Sequence, residues 1–380
     1  MKRDYAGYFD YAAATPTDGE ILSIIDDYAV KNFFNPSALY SSGSKMREVV
    51  ESARRSVAKV LEVKPQQIIW TSGCTEANNL AIKGVMSQYP NAKILISAVE
   101  HDSVYLPATN YQYKIIPVDD NGIIDLAKFE DLLDDSVALV SVIYANNETG
   151  AIQPLREISN IIKKYLHSNP KRNLPLYFHS DAAQAANFLD LHANGLGLDM
   201  MSLNGSKIYG SKATGCLYIS SSVNIVPLVN GGGQERGLRS GTEFVGGVVG
   251  FSEALNKSQA MRSEVSKRIS ELQVYLEQNL IKMGGEINTN SDKLPNITNV
   301  SYVGLDNEIL VLELDKIGFM VSSGSACHAK SGVKSRVLSS MGKTEAQIDG
   351  SLRISMGRFT TQSDVESLVR GLEEIIAKNR

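Results

Sequence analysis

The sequence predicts an α/β protein built around a mostly parallel sheet, and three observations indicate it. Short apolar segments alternate with segments whose apolar residues recur at helical spacing. Small or polar residues follow directly after several of the apolar segments. Of the 380 residues, 43% are hydrophobic and 21% are charged, which is the composition of a globular protein. Strands that are apolar throughout are typical of parallel sheets covered by helices on both faces.

The elements follow from these patterns in chain order. Apolar residues at helical spacing predict helices at 43–62, from 75 onward, at 126–133, 244–283 and 309–317, and after 361. Short apolar runs predict strands at 67–70, 93–97, 113–118, 138–143, 176–178, 200–203, 215–219 and 300–303. At about 100–200 residues per domain, a chain of this length predicts two domains. We place the boundary near residue 256, inside the longest predicted helix.

Composition excludes several classes of protein. Lys+Arg 38 and Asp+Glu 42 give a net charge of −4, so no general attraction to nucleic acid or anionic lipid is expected. No apolar stretch reaches the roughly 18–20 residues of a membrane helix, and the first residues do not resemble a signal peptide. We therefore expect a soluble, cytoplasmic protein. The three cysteines, Cys74, Cys216 and Cys327, form no C-x-x-C pair, so neither a disulfide framework nor a metal site is expected.

Three groups of polar residues follow predicted strands, where ligands bind in parallel sheets. The turn before Thr75 opens a helix whose free N–H groups suit a phosphate, although an N-cap by Ser72 or Thr75 explains the same residues. Asp181 is placed to pair with a cationic ring nitrogen, although it also suits an N-cap. Lys207 lies among small polar residues and suits a Schiff base, although most lysines are simply solvated. Together these are the three requirements of pyridoxal 5′-phosphate.

With these residues in place, the chain resembles the cysteine desulfurases of the class V aminotransferase family. The resemblance runs from Tyr8 to Thr361 and rests on ordered segments at 8–16, 35–37, 71–84, 100–101, 146–150, 181–184, 207–210, 231–242, 322–327 and 353–359. It implies a fold-type-I pyridoxal-phosphate enzyme that forms a homodimer. It also implies a large cofactor-binding domain of residues 16–256 and a smaller α+β domain of residues 1–15 and 257–380.

The resemblance assigns roles residue by residue. Lys207 holds the cofactor covalently and acts as acid and base, and Asp181 pairs with the ring nitrogen. The residues placed around the cofactor are His101, which stacks on the ring, Gln184 and Asn147 near its phenolic oxygen and the substrate, Thr75, Asn204 and Ser206 at the phosphate, Cys74 packed beside the site, and Thr242 contributed by the other subunit. Arg353 and Asn35 resemble the clamp on the substrate carboxylate.

Cys327 is the predicted nucleophile. It follows a run of small residues and precedes His328 and Lys330, surroundings that favour a thiolate. The spacing from Cys327 to Leu338 resembles the subgroup with a long cysteine loop. The implied reaction converts L-cysteine to L-alanine and leaves a persulfide on Cys327, from which sulfur passes to an iron–sulfur scaffold or a thiolation partner. Cys216, inside an apolar strand, fits a buried structural role.

The chain departs from the family pattern near the lysine and after the histidine. Asn204 and Ser206 replace the usual serine and histidine, Ser211 replaces a proline, and Asp102 replaces a basic residue. Two other hypotheses about the function therefore stay open. One is another class V activity, such as an aminotransferase or a selenocysteine lyase, and the other is a divergent scaffold with weakened cofactor binding. Lys330, Lys334 and Arg336 suggest either a surface for an acidic partner or a solvated loop.

Overall fold

The structure is a computed structural model that describes residues 5–324 and 334–379. The strands in these ranges are Ile68–Thr71 (β1), Lys93–Ser97 (β2), Gln112–Ile116 (β3), Val137–Ser141 (β4), Tyr177–Asp181 (β5), Met200–Asn204 (β6), Gly215–Ile219 (β7), Glu286–Ile287 (β8), Ile297–Ser301 (β9) and Ser351–Ser355 (β10). The helices in the same ranges are Gly19–Val30 (α1), Ser41–Val60 (α2), Cys74–Met86 (α3), Asp102–Ala108 (α4), Leu126–Leu132 (α5), Leu155–Ser168 (α6), Ala193–Leu196 (α7), Val245–Lys282 (α8), Asn307–Lys316 (α9), Arg336–Ser340 (α10), Glu345–Asp349 (α11) and Gln362–Asn379 (α12). None of these helices is long and apolar enough to cross a membrane.

The large sheet has seven strands in the order β1-β7-β6-β5-β4-β2-β3. Every neighbouring pair is parallel except those that involve β7, which runs antiparallel to β1 and to β6. The interior strands β4, β5 and β7 are buried along their whole length. The predicted α/β fold with a mostly parallel sheet is therefore confirmed, and its physical basis is the burial of both sheet faces.

A second, antiparallel sheet in the order β10-β9-β8 packs with α9 and α12. Helix α8 connects the two sheets, because it runs unbroken through residue 256. Phe251 and Leu255 of this helix lie in the core under the large sheet, whereas Ile269 and Leu276 lie in the core of the smaller one. Phe9 also belongs to the smaller core. The division at residue 256 stays a prediction, and the two cores lie on either side of it.

Two strands include polar residues that the apolar pattern leaves out. β5 extends to Asp181, past the apolar run predicted at 176–178. β9 begins at Ile297, before the predicted 300–303, and contains the buried polar residues Thr298 and Asn299. Their side chains are hydrogen-bonded, so these polar residues are accommodated inside the fold. The extent of β5 and β9 therefore depends on hydrogen-bond partners that a hydropathy pattern does not reveal.

Candidate active site

A cavity of about 250 Å³ lies at the carboxyl ends of β5 and β6. Most of the predicted site residues line it, namely Cys74, Thr75, His101, Asn147, Asp181, Gln184, Asn204, Lys207 and Arg353. They come from widely separated parts of the chain, and the fold brings them together because the carboxyl ends of parallel strands share one edge. No group of three or more His, Cys, Asp or Glu side chains within residues 5–324 and 334–379 could hold a metal ion.

Lys207 lies in a single 3₁₀ turn, Gly205–Lys207, directly after β6. Its ammonium nitrogen Nζ lies 2.8 Å from the carbonyl oxygen of Ala12 and 2.5 Å from that of Ala13. Burial lowers the pKa of Lys207 to about 8, and the positive charge of Arg353 acts in the same direction. The amine therefore loses its proton far more readily than a solvated lysine, which is what a nucleophilic or proton-transferring lysine requires.

Asp181 ends β5, and three donors hold its buried carboxylate. The Cys74 thiol and the backbone N–H of Ala183 donate to Oδ1 over 3.2 and 2.9 Å. The Asn78 amide donates to Oδ2 over 2.6 Å. Burial and the charge of Asp181 raise the pKa of Cys74 well above its ordinary value, so this thiol remains protonated as a donor. The carboxylate is thus fixed in place with capacity left for one more donor.

His101 is the residue that caps the N-terminus of α4. Its Nδ1 accepts the backbone N–H of Ser103 over 3.1 Å and lies 2.8 Å from the Ser103 hydroxyl oxygen. An imidazole nitrogen that accepts a backbone N–H carries no proton, which assigns the proton of the neutral ring to Nε2. Cap and hydroxyl together fix the orientation of the ring at the cavity wall.

Arg353 lies on β10 with 1% of its surface exposed. Its Nη1 donates to the backbone oxygen of Asn147 over 2.9 Å, and its Nη2 pairs with Asp10 over 2.7 Å. Its Nε is buried and has no hydrogen-bond partner among the described residues. The guanidinium is therefore held rigidly at the cavity wall, where its positive charge suits an anion.

The turn between β1 and α3 forms another wall of the cavity. Gly73 precedes α3 with a φ of 143°, a left-handed conformation that favours glycine, and the N-terminal amides of α3 follow it. Gly215 of β7 passes so close that an added Cβ would lie 2.7 Å from the Cα of Gly73. Cys74 and Thr75 then face the cavity at a helix N-terminus, where a phosphate is favoured.

Three predicted residues lie elsewhere, and one lies outside the described residues. The Ser206 hydroxyl donates to Asn204 Oδ1 over 3.2 Å, and Ser206 does not line the cavity. Thr242 lines a neighbouring cavity beyond the turn that precedes α3. Asn35 is exposed, with its side-chain oxygen accepting the N–H of Ser37. Cys327, the predicted nucleophile, falls in the segment 325–333, which the structure does not describe.

The chain on both sides of that segment lies beside the cavity. Ser322 pairs through its backbone with Arg353, over 2.7 and 3.1 Å. The Ser335 hydroxyl donates to Glu148 over 2.6 Å, next to the cavity residue Asn147. The described chain is therefore close to the cavity on both sides of residues 325–333.

Arg336 accounts for the unusual Asp102. Its guanidinium donates to the backbone oxygens of Ala98 and Glu100, lies 3.4 Å from the Asp102 carboxylate and lies 4.1 Å from the ring centre of Tyr105. Lys334 in turn pairs with Glu345 and Asp349. Both cations are engaged within the chain, and Lys330, the third residue of the basic cluster noted in the sequence, lies outside the described residues.

Sequence reasoning missed Asn78 and Ser103, which contact Asp181 and His101, and also Asp10, which pairs with Arg353. A signal was available for Asn78, because it lies four residues after Cys74 and therefore on the same helix face. The Ser103–His101 contact is local to the cap of α4, whereas the contacts of Ser103 with Asn78 and of Asp10 with Arg353 depend on tertiary structure. Cys216 is fully buried in β7, and burial raises its pKa, in agreement with the structural role predicted for it.

His179 lies two residues before Asp181 on β5 and predicts a pH dependence of stability. Its ring lies 2.8 Å from the Ser141 hydroxyl and 3.0 Å from that of Ser202, and burial lowers its pKa to about 4. An unfolded histidine titrates near about 6.5, so between these values the unfolded chain binds a proton that the folded chain does not. We expect this residue to remove up to about 3 kcal/mol of stability as the pH falls from about 6.5 to about 4.

Urea unfolding at pH 7 and pH 5 checks this expectation. His179→Gln should lose less stability between the two pH values than the wild-type chain does. His167→Gln, at an exposed position near the end of α6, is the matched control and should behave as wild type. Equal losses in wild type and His179→Gln would contradict the assignment.

Comparisons with known proteins show which family the chain resembles. The family model described as aminotransferase class-V matches residues 7–368. A protein of Clostridium botulinum named cysteine desulfurase IscS is 36% identical over 387 residues, covering 98% of this chain and 95% of that protein. A solved structure titled NifS-like protein superposes with a TM-score of 0.90 at 33% identity, covering 98% of this chain and 99% of that one. A structure titled SspA in complex with cysteine superposes with a TM-score of 0.78 at 30% identity, covering 93% and 100%.

Proposed function

We propose that this chain converts L-cysteine to L-alanine, because it belongs to the cysteine desulfurases of the class V aminotransferase family. Pyridoxal 5′-phosphate is its proposed cofactor, and sulfur leaves as a persulfide on Cys327 before it passes to an acceptor. The observation that carries the proposal is a single cavity that holds the Lys207 amine with its lowered pKa, the Asp181 carboxylate and the Arg353 guanidinium. No one of these residues would suffice, but together they match the demands of amino-acid chemistry on this cofactor.

The residues of the cavity fit the cofactor. The Asp181 carboxylate accepts three hydrogen bonds from described donors and can accept one more, which suits a protonated ring nitrogen. The α3 N-terminus at Cys74 and Thr75 suits the phosphate, with Asn204 beside it. His101 at the cavity wall suits ring stacking, and Gln184 lies nearby with its amide donating to the Ala12 oxygen over 2.8 Å. Lys207, with its lowered pKa, suits covalent attachment.

When bound, pyridoxal 5′-phosphate supplies a sink for the electrons released at the substrate Cα. The protein's own residues bind the substrate and transfer its protons. Arg353 binds the substrate carboxylate, since its guanidinium lines the cavity and is fixed there by its contacts with Asn147 and Asp10. Lys207 takes the Cα proton and returns it, a role for which a pKa of about 8 leaves both forms accessible near neutral pH.

Cys327 completes the reaction in this proposal. Its thiolate attacks the sulfur of cysteine, the carbon–sulfur bond breaks, and the sulfur remains on Cys327 while the carbon skeleton takes up a proton and leaves as alanine. What supports this assignment is the position of Ser322 and Ser335, which place the chain beside the cavity on both sides of the undescribed segment. The protonated and bonded Cys74 is a poorer nucleophile.

A homodimer is the proposed assembly. Large apolar side chains are exposed between α1 and α2 and just after Thr242, with Leu39 at 95%, Phe33 at 67% and Phe244 at 49% exposure. Such exposure supports burial against another chain. Thr242 lies outside the cavity of its own chain, as expected for a residue that contributes to the site of the partner subunit. The sulfur acceptor, proposed to be an iron–sulfur scaffold or a thiolation protein, and the cytoplasmic location stay predictions.

Alanine release from L-cysteine tests the proposed function directly. The purified chain with added pyridoxal 5′-phosphate should release alanine, and Arg353→Lys should raise KM for L-cysteine by about 10- to 100-fold. The reason is that lysine retains the charge but loses the planar donor pair, and a charged hydrogen bond contributes about 1.5–3 kcal/mol.

Arg358→Lys is the matched control for this measurement. Arg358 stacks on Tyr209, with its guanidinium carbon 4.0 Å from the ring centre, and it does not line the cavity. Its replacement should leave KM close to the wild-type value. An unchanged KM in Arg353→Lys would remove Arg353 from the substrate site, and a wild-type chain that binds the cofactor but releases no alanine would contradict the proposed activity.

A further inference from the structure

Asn78 is a fully buried polar residue that no predicted role uses. It lies on α3, one turn after Cys74, with 0% of its surface exposed. Its Nδ2 lies 2.6 Å from Asp181 Oδ2 and 2.8 Å from Ser103 Oγ. An ionised carboxylate only accepts hydrogen bonds, so it is the nitrogen and not the oxygen of the amide that faces Asp181. The two N–H groups of one side chain therefore serve two different acceptors.

These two acceptors both line the cavity but belong to different elements of the fold. Asp181 ends β5, whereas Ser103 belongs to the first turn of α4. Since the Ser103 hydroxyl accepts from Asn78, its own proton is free to point at His101 Nδ1, 2.8 Å away. Asn78 thus connects the carboxylate proposed for the ring nitrogen with the histidine proposed to stack on the ring.

We propose that Asn78 is the positioning residue that keeps Asp181 oriented toward the protonated ring nitrogen of the cofactor. This inference rests on the proposed function, because it presupposes pyridoxal 5′-phosphate. Cys74 and Ala183 both donate to Oδ1, so Asn78 is the described donor to Oδ2. Removing it leaves a buried carboxylate oxygen without a donor among the described residues, so the carboxylate is no longer held at Oδ2.

The protonation of the ring nitrogen is the readout that tests the role. The full-length chain is loaded with pyridoxal 5′-phosphate labelled with ¹⁵N in its ring, and the nitrogen signal is followed by NMR across neutral pH. In the wild-type chain the signal should lie at the position of a protonated pyridine nitrogen. Asn78→Leu fills similar space without a donor, so it should move the signal toward the unprotonated position. It should also weaken cofactor affinity by about 10- to 100-fold, as expected for loss of a charged hydrogen bond.

Two controls separate this role from a general effect on packing. Asn79 is the next residue of the same helix, and its amide donates to the Thr75 backbone oxygen over 2.9 Å; Asn79→Ala should leave both the signal and the affinity as in wild type. Ser103→Ala removes the second acceptor but keeps the Asn78–Asp181 bond, so the ring signal should again stay protonated. Asn78→Ala provides a second donor-free variant should Asn78→Leu fail to fold.

The results that would overturn the inference differ from those that would overturn the proposed function. A folded Asn78→Leu or Asn78→Ala chain with a protonated ring nitrogen and wild-type affinity would remove Asn78 from this role. A wild-type chain that binds the cofactor but releases no alanine from cysteine would contradict the proposed function. In that case the ring signal would still decide the role of Asn78.

Discussion

Lys207→Ala is expected to lower alanine release from L-cysteine by at least about 1,000-fold, because proton transfer by a positioned group alone contributes about 10²–10⁴-fold. The same change should remove covalently held cofactor, and with it the visible absorbance of the purified chain. Burial, the neighbouring Arg353 and the two backbone oxygens that bind Nζ make this amine unlike any solvated lysine. Absorbance and alanine release on one preparation measure both effects.

Lys212→Ala is the matched control for this experiment. Lys212 lies five residues later in an exposed loop and does not line the cavity. It should retain both absorbance and alanine release. Should Lys207→Ala keep the absorbance and most of the activity, the assignment of the cofactor lysine would be wrong.

Cys327→Ala is expected to abolish sustained alanine release from L-cysteine, with a loss of at least about 1,000-fold, because the reaction then lacks its sulfur nucleophile. Cofactor binding should remain, since the residues that line the cavity are unchanged. The visible spectrum of the variant should therefore match that of wild type while turnover is lost. Absorbance and alanine assays together distinguish this pattern from unfolding.

Cys216→Ala provides the control for the loss of a thiol. Cys216 is buried in β7 and does not line the cavity, so the variant should retain turnover. Undiminished activity in Cys327→Ala would exclude the persulfide route and favour a different class V activity.

Local patterns predicted much of this fold because most strands of its large sheet are buried on both faces. The apolar run at 93–97 and the strand β2 coincide, and the run at 215–219 coincides with β7. Strand ends were harder to predict where polar residues continue the ladder. Asp181 is an example, because it lies inside β5 and its polar side chain is satisfied by donors from α3.

The candidate site could be predicted in its chemistry and less so in its supporting contacts. Lys207, Asp181 and Arg353 follow strands or lie on them, and a motif comparison finds them. For Asn78 the sequence indicates only a helix face shared with Cys74, because its contact with Asp181 depends on α3 passing beside the end of β5. Asp102 is similar. From the sequence alone it is a departure from the family pattern, and its distance of 3.4 Å from Arg336 supplies a structural reason for it.

Mass spectrometry of the peptide that contains Cys327 tests the central claim most directly. The wild-type chain, loaded with cofactor, is mixed with L-cysteine in the absence of any acceptor or reductant, and alanine is quantified in the same sample. We predict that the peptide gains the mass of one sulfur atom and that one alanine is released for each sulfur gained. Alanine formed while the Cys327 peptide gains no sulfur, or sulfur found on Cys74 instead, would contradict the account.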